Sequence, residues 1–107
     1  MSATRAAVIH GDRSPEDFHR GIDVATRLKQ VEPELLVRVI LNGKAVAGAV
    51  STERLDLVDG VSVEVCQVAL DKQGFSRDDV RPGVGVVPMA AHAILDAQFA
   101  GAAYLRL

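Results

Sequence analysis

The sequence predicts an α/β domain built on a mostly parallel, five-stranded sheet. Two observations carry this. Five short β-rich runs, Ala6 to His10, Leu36 to Leu41, Val61 to Cys66, Val84 to Val87 and Ala103 to Arg106, recur with helical or turn-forming segments between them. Two of them, Val-Arg-Val-Ile-Leu and Val-Gly-Val-Val, are nearly continuous in apolar character, as expected of strands covered on both faces.

The first helix is the best signalled. Ser14-Pro15-Glu16-Asp17 offers a capping hydroxyl, a proline at the first helical position and acidic residues in the first turn. Phe18, Ile22, Ala25 and Leu28 then share one face, and Gly21 beside them permits close packing on the sheet. Pro33 blocks continuation and turns the chain into the second strand. Asn42-Gly43 forms a turn, followed by a small-residue helix over Lys44 to about Val50 and a helical turn near Leu55 to Val58. Asp59-Gly60 leads into the third strand, and Gln67 to about Gln73 reads as a short helix ended by Gly74. Ser76-Arg77-Asp78-Asp79 is a capped turn, Pro82-Gly83 precedes the fourth strand, and Ala90 to Ala100 forms the last helix before Gly101. Ala103, Leu105 and Leu107 alternate as a final strand should if it faces a core.

Composition narrows the function classes. The chain has 107 residues, 49% of them hydrophobic, which suits one domain over 1–107 with one core. A net charge of -2, with Arg and Lys scattered along the chain, leaves no footprint for nucleic acid. The apolar stretches break off well before the roughly 20 residues that cross a bilayer, and the N-terminus carries no basic-plus-apolar leader. A lone cysteine forms no internal disulfide. A cytoplasmic protein without membrane partners is expected.

In an open parallel sheet, ligands bind outside the carboxyl ends of the strands, where loops and helix N-termini converge. The first four strands place His10, Asn42-Gly43, Cys66-Gln67 and Met89 along that edge. Cys66 is the chemically distinctive member. At a strand end where a helix begins, partial positive charge favours its thiolate, and hence nucleophilicity. The alternative is that Cys66 ends the run Val61, Val63, Val65 as a small packed hydrophobe. His10 offers an acid, base or anion ligand, or a hydrogen bond to a loop. His19 is expected to be solvated, and His92, in the first turn of the last helix, suits a neutral role. The spacings of the histidines and Cys66 match no metal-ligand motif, so neither a metal nor a cofactor is expected. Gly83-Val84-Gly85 precedes a strand and is not a phosphate-binding turn, and no serine lies in a nucleophile elbow.

Val63-Glu64-Val65-Cys66, Leu70, Gly74-Phe75-Ser76, Asp79-Val80 and Pro82-Gly83-Val84-Gly85-Val86-Val87-Pro88 together resemble the DsrE-like (DsrE/DsrF-like, sulfur-relay) family. The resemblance extends to Ala7-Val8-Ile9-His10, Asn42-Gly43, and Gln98 with Gly101-Ala102-Ala103-Tyr104-Leu105, so it spans nearly the whole chain. It implies a three-layer α/β/α sandwich, assembly into homotrimers or hexamers, and a persulfide-carrying cysteine matched by Cys66, exchanging sulfur with donor and acceptor proteins. The chain departs from close relatives in having Gln67-Val68 after the cysteine where an asparagine is expected. Two functions follow as expectations. One is a sulfurtransferase-like sulfur carrier with Cys66 as the persulfide acceptor and no cofactor. The other is a non-catalytic ligand-binding or assembly module using His10, Asn42, Gly43, Gln67 and Met89, with Cys66 structural. A redox sensor is less favoured, because the chain holds no resolving cysteine.

Overall fold

Runs rich in β-branched residues form strands because these side chains pack well on a pleated surface and lose little freedom there. In the computed structural model, which describes residues 4–107, five such runs are strands: β1 (Ala6–Gly11), β2 (Leu36–Leu41), β3 (Val61–Cys66), β4 (Gly85–Val87) and β5 (Ala103–Arg106). They form one sheet in the order β4-β3-β2-β1-β5, and every pairing is parallel. Between them lie the helices α1 (Asp17–Val31), α2 (Gln67–Lys72) and α3 (Ala90–Phe99), and 3-10 segments over Gly43–Ala49 and Arg77–Asp79.

Register and pleat divide the strand residues between two faces. Ala7, Ile9, Val37, Val39, Leu41, Val63 and Val65 point to one side, and Val8, His10, Arg38, Ile40, Glu64, Cys66, Tyr104 and Arg106 to the other. From β1 to β4 the chain steps steadily one way across the sheet, so right-handed crossovers keep their connections on the first face. There α1 packs so tightly that a Cβ on Gly21 would lie 2.7 Å from Val39 Cγ1. The connection from β4 returns across the whole sheet to β5, and α3 therefore covers the second face. The result is three layers, with Val8, Ile9, Val39, Ile40, Leu41 and Val65 fully buried at the centre. Each such side chain contributes about 1.5–3 kcal/mol of transfer free energy.

Several boundaries differ from the sequence expectation for identifiable reasons. The helix α1 starts at Asp17, and Ser14 supplies its carbonyl, not its hydroxyl, to the Asp17 N–H at 3.0 Å. The Asp17 carboxylate is buried instead, accepting from the Arg13 N–H at 3.0 Å and Arg20 Nη1 at 3.1 Å. No helical turn forms near Leu55 to Val58, where the Leu55 N–H is taken by the Pro82 carbonyl at 2.7 Å. The fourth strand begins at Gly85, not Val84. The Ser76 turn is a complete capping box, with Ser76 Oγ accepting from the Asp78 N–H and Asp79 Oδ2 from the Ser76 N–H. The last strand forms, but Ala103 and Leu105 stay exposed; Leu107 alone of the alternating set packs against the core. No described helix is long and apolar enough to cross a membrane.

The second face is thinly covered. Arg38 and Glu64 form a two-point ion pair on it, at 2.7 and 3.1 Å, beside Leu36 and Tyr104, which remain partly exposed. Glu64 chiefly, with Asp96 of α3 adding, pushes the Arg38 pKa up, so the guanidinium stays charged.

Candidate functional site

Strand order reverses between β1 and β5, because β2, β3 and β4 lie to one side of β1 and β5 to the other. Loops diverge at such a switch point and leave a crevice at the carboxyl ends of the strands. His10 lies on β1 at this place, Tyr104 and Arg106 on β5, and Asn42 follows β2. The turn that presents Asn42 needs glycine at position 43, where φ is +53° and a Cβ would lie 2.7 Å from the Asp12 carbonyl oxygen.

The imidazole is held on both nitrogens. His10 Nε2 is 2.8 Å from Asn42 Oδ1, and Nδ1 is 2.6 Å from the Tyr104 hydroxyl and 3.3 Å from Arg106 Nη1. Asn42 Oδ1 and the guanidinium admit only one donor pattern: Nε2–H donates to Asn42, while Nδ1 accepts from Tyr104 and Arg106. Arg106 Nη2 also donates to Asp12 Oδ1 at 2.5 Å. The Tyr104 oxygen first, and the Asp12 carboxylate after it, push the Arg106 pKa up, so its charge is fixed and locally balanced.

Above this network, α3 borders an open cavity of about 480 Å³. His10, Asn42, Gln98 and Tyr104 supply its polar groups, and Ala91, Ile94 and Leu95 its apolar wall. A few convergent polar groups on an apolar lining are the usual ingredients of a small-ligand site. A hollow of about 390 Å³ at the opposite end of the strands, between Leu36, Val61 and Ala97, has only Arg38 and Ser62 as polar side chains.

Cys66 lies elsewhere. It ends β3, and β2 separates β3 from β1, so two strand spacings of about 4.8 Å each stand between Cys66 and the His10 strand. Its side chain is 5% exposed, does not line the cavity, and accepts the Ala90 N–H, the first of α3, at 3.3 Å. The remaining strand-end positions do not reach the cavity. Gln67 donates to Asp71 at 2.7 Å, the Gly43 carbonyl accepts from Gln73 at 2.7 Å, and Met89 is 53% exposed ahead of α3. His19 is exposed, and His92 lies 3.6 Å from Asp96 on the surface of α3. Among the described residues no group of His, Cys, Asp and Glu could hold a metal ion.

Sequence reasoning placed His10 and Asn42 at the strand edge but did not pair them with Tyr104, Arg106 or Gln98. The missing signal is strand order: Tyr104 and Arg106 join the site because β5 docks beside β1, with Arg106 in register with His10.

These features define an open, all-parallel α/β domain with a polar crevice at its switch point. No protein-family model matches the chain. No curated protein matches it. Solved structures do. The protein of unknown function MTH1491 from Methanobacterium thermoautotrophicum superposes with a TM-score of 0.78 at 21% identity, over 98% of this chain and 100% of that one. The ychN protein from E. coli superposes with a TM-score of 0.60 at 18% identity, over 98% and 100%. The chain thus shares its fold with these two proteins.

Proposed function

We propose that the protein is a small-ligand-binding module whose site is the crevice between β1, β5 and α3, with Cys66 serving in packing. The observation that carries this is the convergence of His10, Asn42, Gln98 and Tyr104 on a cavity that Cys66 does not enter. His10, Asn42 and Tyr104 are already fixed by one another, so little ordering cost remains for these three when a ligand arrives. A fragment screen followed by amide NMR on the labelled protein tests it. Shifts are expected to cluster at Ala91, Ile94, Gln98 and Tyr104 and to vanish in His10→Ala, while Cys66→Ala leaves them intact. Hits clustering away from the crevice would reject the assignment.

One observation favours a second reading, a sulfur carrier. The Ala90 N–H directed at Cys66 Sγ is a donor that would stabilise a thiolate or its persulfide. In that reaction the thiolate attacks the outer sulfur of a donor persulfide, the S–S bond breaks, and the donor leaves as a thiolate. Intact-mass analysis after incubation with a persulfide donor decides between the readings, with Cys66→Ser as control. With Cys66 buried, the expected result is no sulfur adduct on the native protein and ready thiol labelling once it is denatured. Rapid gain of one sulfur atom by the native protein would establish the carrier instead.

Assembly into a homotrimer, or a hexamer of trimers, is part of the proposal. The family resemblance supports it, as do large apolar side chains exposed on α3, Leu95 and Phe99, and on the sheet, Leu36 and Tyr104. Light scattering should give a trimeric or hexameric mass; a monodisperse monomer at micromolar concentration would end the assembly proposal and leave the crevice untouched.

A further inference from the structure

The crevice's own hydrogen bonds narrow the chemistry of what it holds. Both His10 nitrogens are occupied, Nε2 by Asn42 Oδ1 and Nδ1 by Tyr104 and Arg106. The Asn42 oxygen is used, and its NH2 remains. The Tyr104 proton is used, and an oxygen lone pair remains. The exposed Gln98 amide makes no hydrogen bond among the described residues and keeps both a donor and an acceptor. Free capacity is therefore mixed: N–H groups from Asn42 and Gln98, oxygens from Tyr104 and Gln98, over the apolar wall of Ile94 and Leu95.

Charge is balanced at the same place. Arg106, beside the lining and not in it, lies against Asp12 at 2.5 Å, and the lining itself holds no fixed charge. A carboxylate bound here would find no unpaired cation and would meet the Tyr104 and Gln98 oxygens. A phosphate would seek helix N-terminal amides, but the first amide of α3 is taken by Cys66 Sγ, which does not line the cavity. A planar group with a carbonyl beside an N–H uses the mixed set fully, and a small ring carrying it fits about 480 Å³.

We propose that the crevice selects small uncharged ring compounds bearing a carboxamide or lactam edge. This rests on the ligand-binding reading and names its substrate class. Nicotinamide and benzamide are the probes, with nicotinate and benzoate as anions of matching shape, each titrated into the labelled full chain and followed by amide NMR and calorimetry. The amides are expected to bind at least about tenfold more tightly than the acids. Their shifts should centre on Ala91, Ile94 and Gln98. Gln98→Leu, a surface change on α3, should weaken the amides about tenfold and leave the acids unaffected, because it removes the free donor–acceptor pair. Cys66→Ser should change nothing.

Equal or tighter binding of the acids at the same residues would overturn the ligand class while leaving a binding crevice in place. If none of the four probes perturbs the crevice although fragments do, the class again fails alone. If fragments also avoid the crevice, the ligand-binding reading falls with it.

Discussion

Removal of Ala103–Leu107 is expected to unfold the protein at 25 °C. These residues form an edge strand, and Ala103 to Arg106 are all exposed, so the tail could be mistaken for a dispensable one. Its contribution lies in what it touches. Leu107 packs on the core against Gly11 and Gly21, and its N–H donates to the His10 carbonyl at 2.9 Å. Arg106 and Tyr104 hold Asp12 and His10. Burial of most of a leucine is worth about 1.5–3 kcal/mol, and each lost hydrogen bond about 1 kcal/mol. The sum is on the order of 5 kcal/mol, comparable with the whole stability of many small domains. The deletion also bares the edge of β1, whose run Ala7-Val8-Ile9 would template aggregation. Circular dichroism and sedimentation of the truncated chain should show unfolded or aggregated protein. A melting temperature within a few degrees of the full-length chain would show that β1 is stable as an edge.

Gly48→Ala is the second change expected to have a large effect. The segment Gly43–Ala49 runs against the start of α1, and a Cβ at position 48 would press into the Pro15 carbonyl oxygen, with Phe18 Cβ at 2.7 Å. Both obstacles are parts that cannot rotate away: one is backbone, and the other is the first side-chain atom of a fully buried phenylalanine. Accommodating one methyl group therefore requires α1 or the segment to shift, at a cost of about 3 kcal/mol or more. In a chain of this size that lowers the melting temperature by more than about 10 °C. Gly74→Ala is the control. Gly74 has φ +76° but nothing within 4 Å of its would-be Cβ, so it carries only the backbone cost of about 1 kcal/mol. Equal losses in urea unfolding for the two variants would mean that Gly48 is not held by packing.

The small residues of that segment were legible before any contact was known: Ala45, Ala47, Gly48 and Ala49 are what a turn wedged against a helix requires. The reason for them was not, because Pro15 and Phe18 lie thirty residues earlier in the chain. Asp17 shows the same limit. Its place in a helix's first turn was visible, whereas its burial, with Arg13 and Arg20 as partners, depends on how β1 enters α1.

By itself the sequence determined the local terms: where β-branched runs make strands, where Pro33, Gly74 and Gly101 end helices, and that His10, Asn42, Cys66 and Met89 lie at or just after strand ends and so along a common sheet edge. These depend on backbone propensity and on periodicity, which act over a few residues. Strand order was decided by tertiary structure alone. Docking of β5 beside β1 brings Tyr104 and Arg106, more than ninety residues away, onto His10. Docking of β2 between β1 and β3 keeps Cys66 away from the same histidine. Neighbourhood in a sheet is set by which apolar faces cover one another and by the handedness of the crossovers, and neither is written in any single segment.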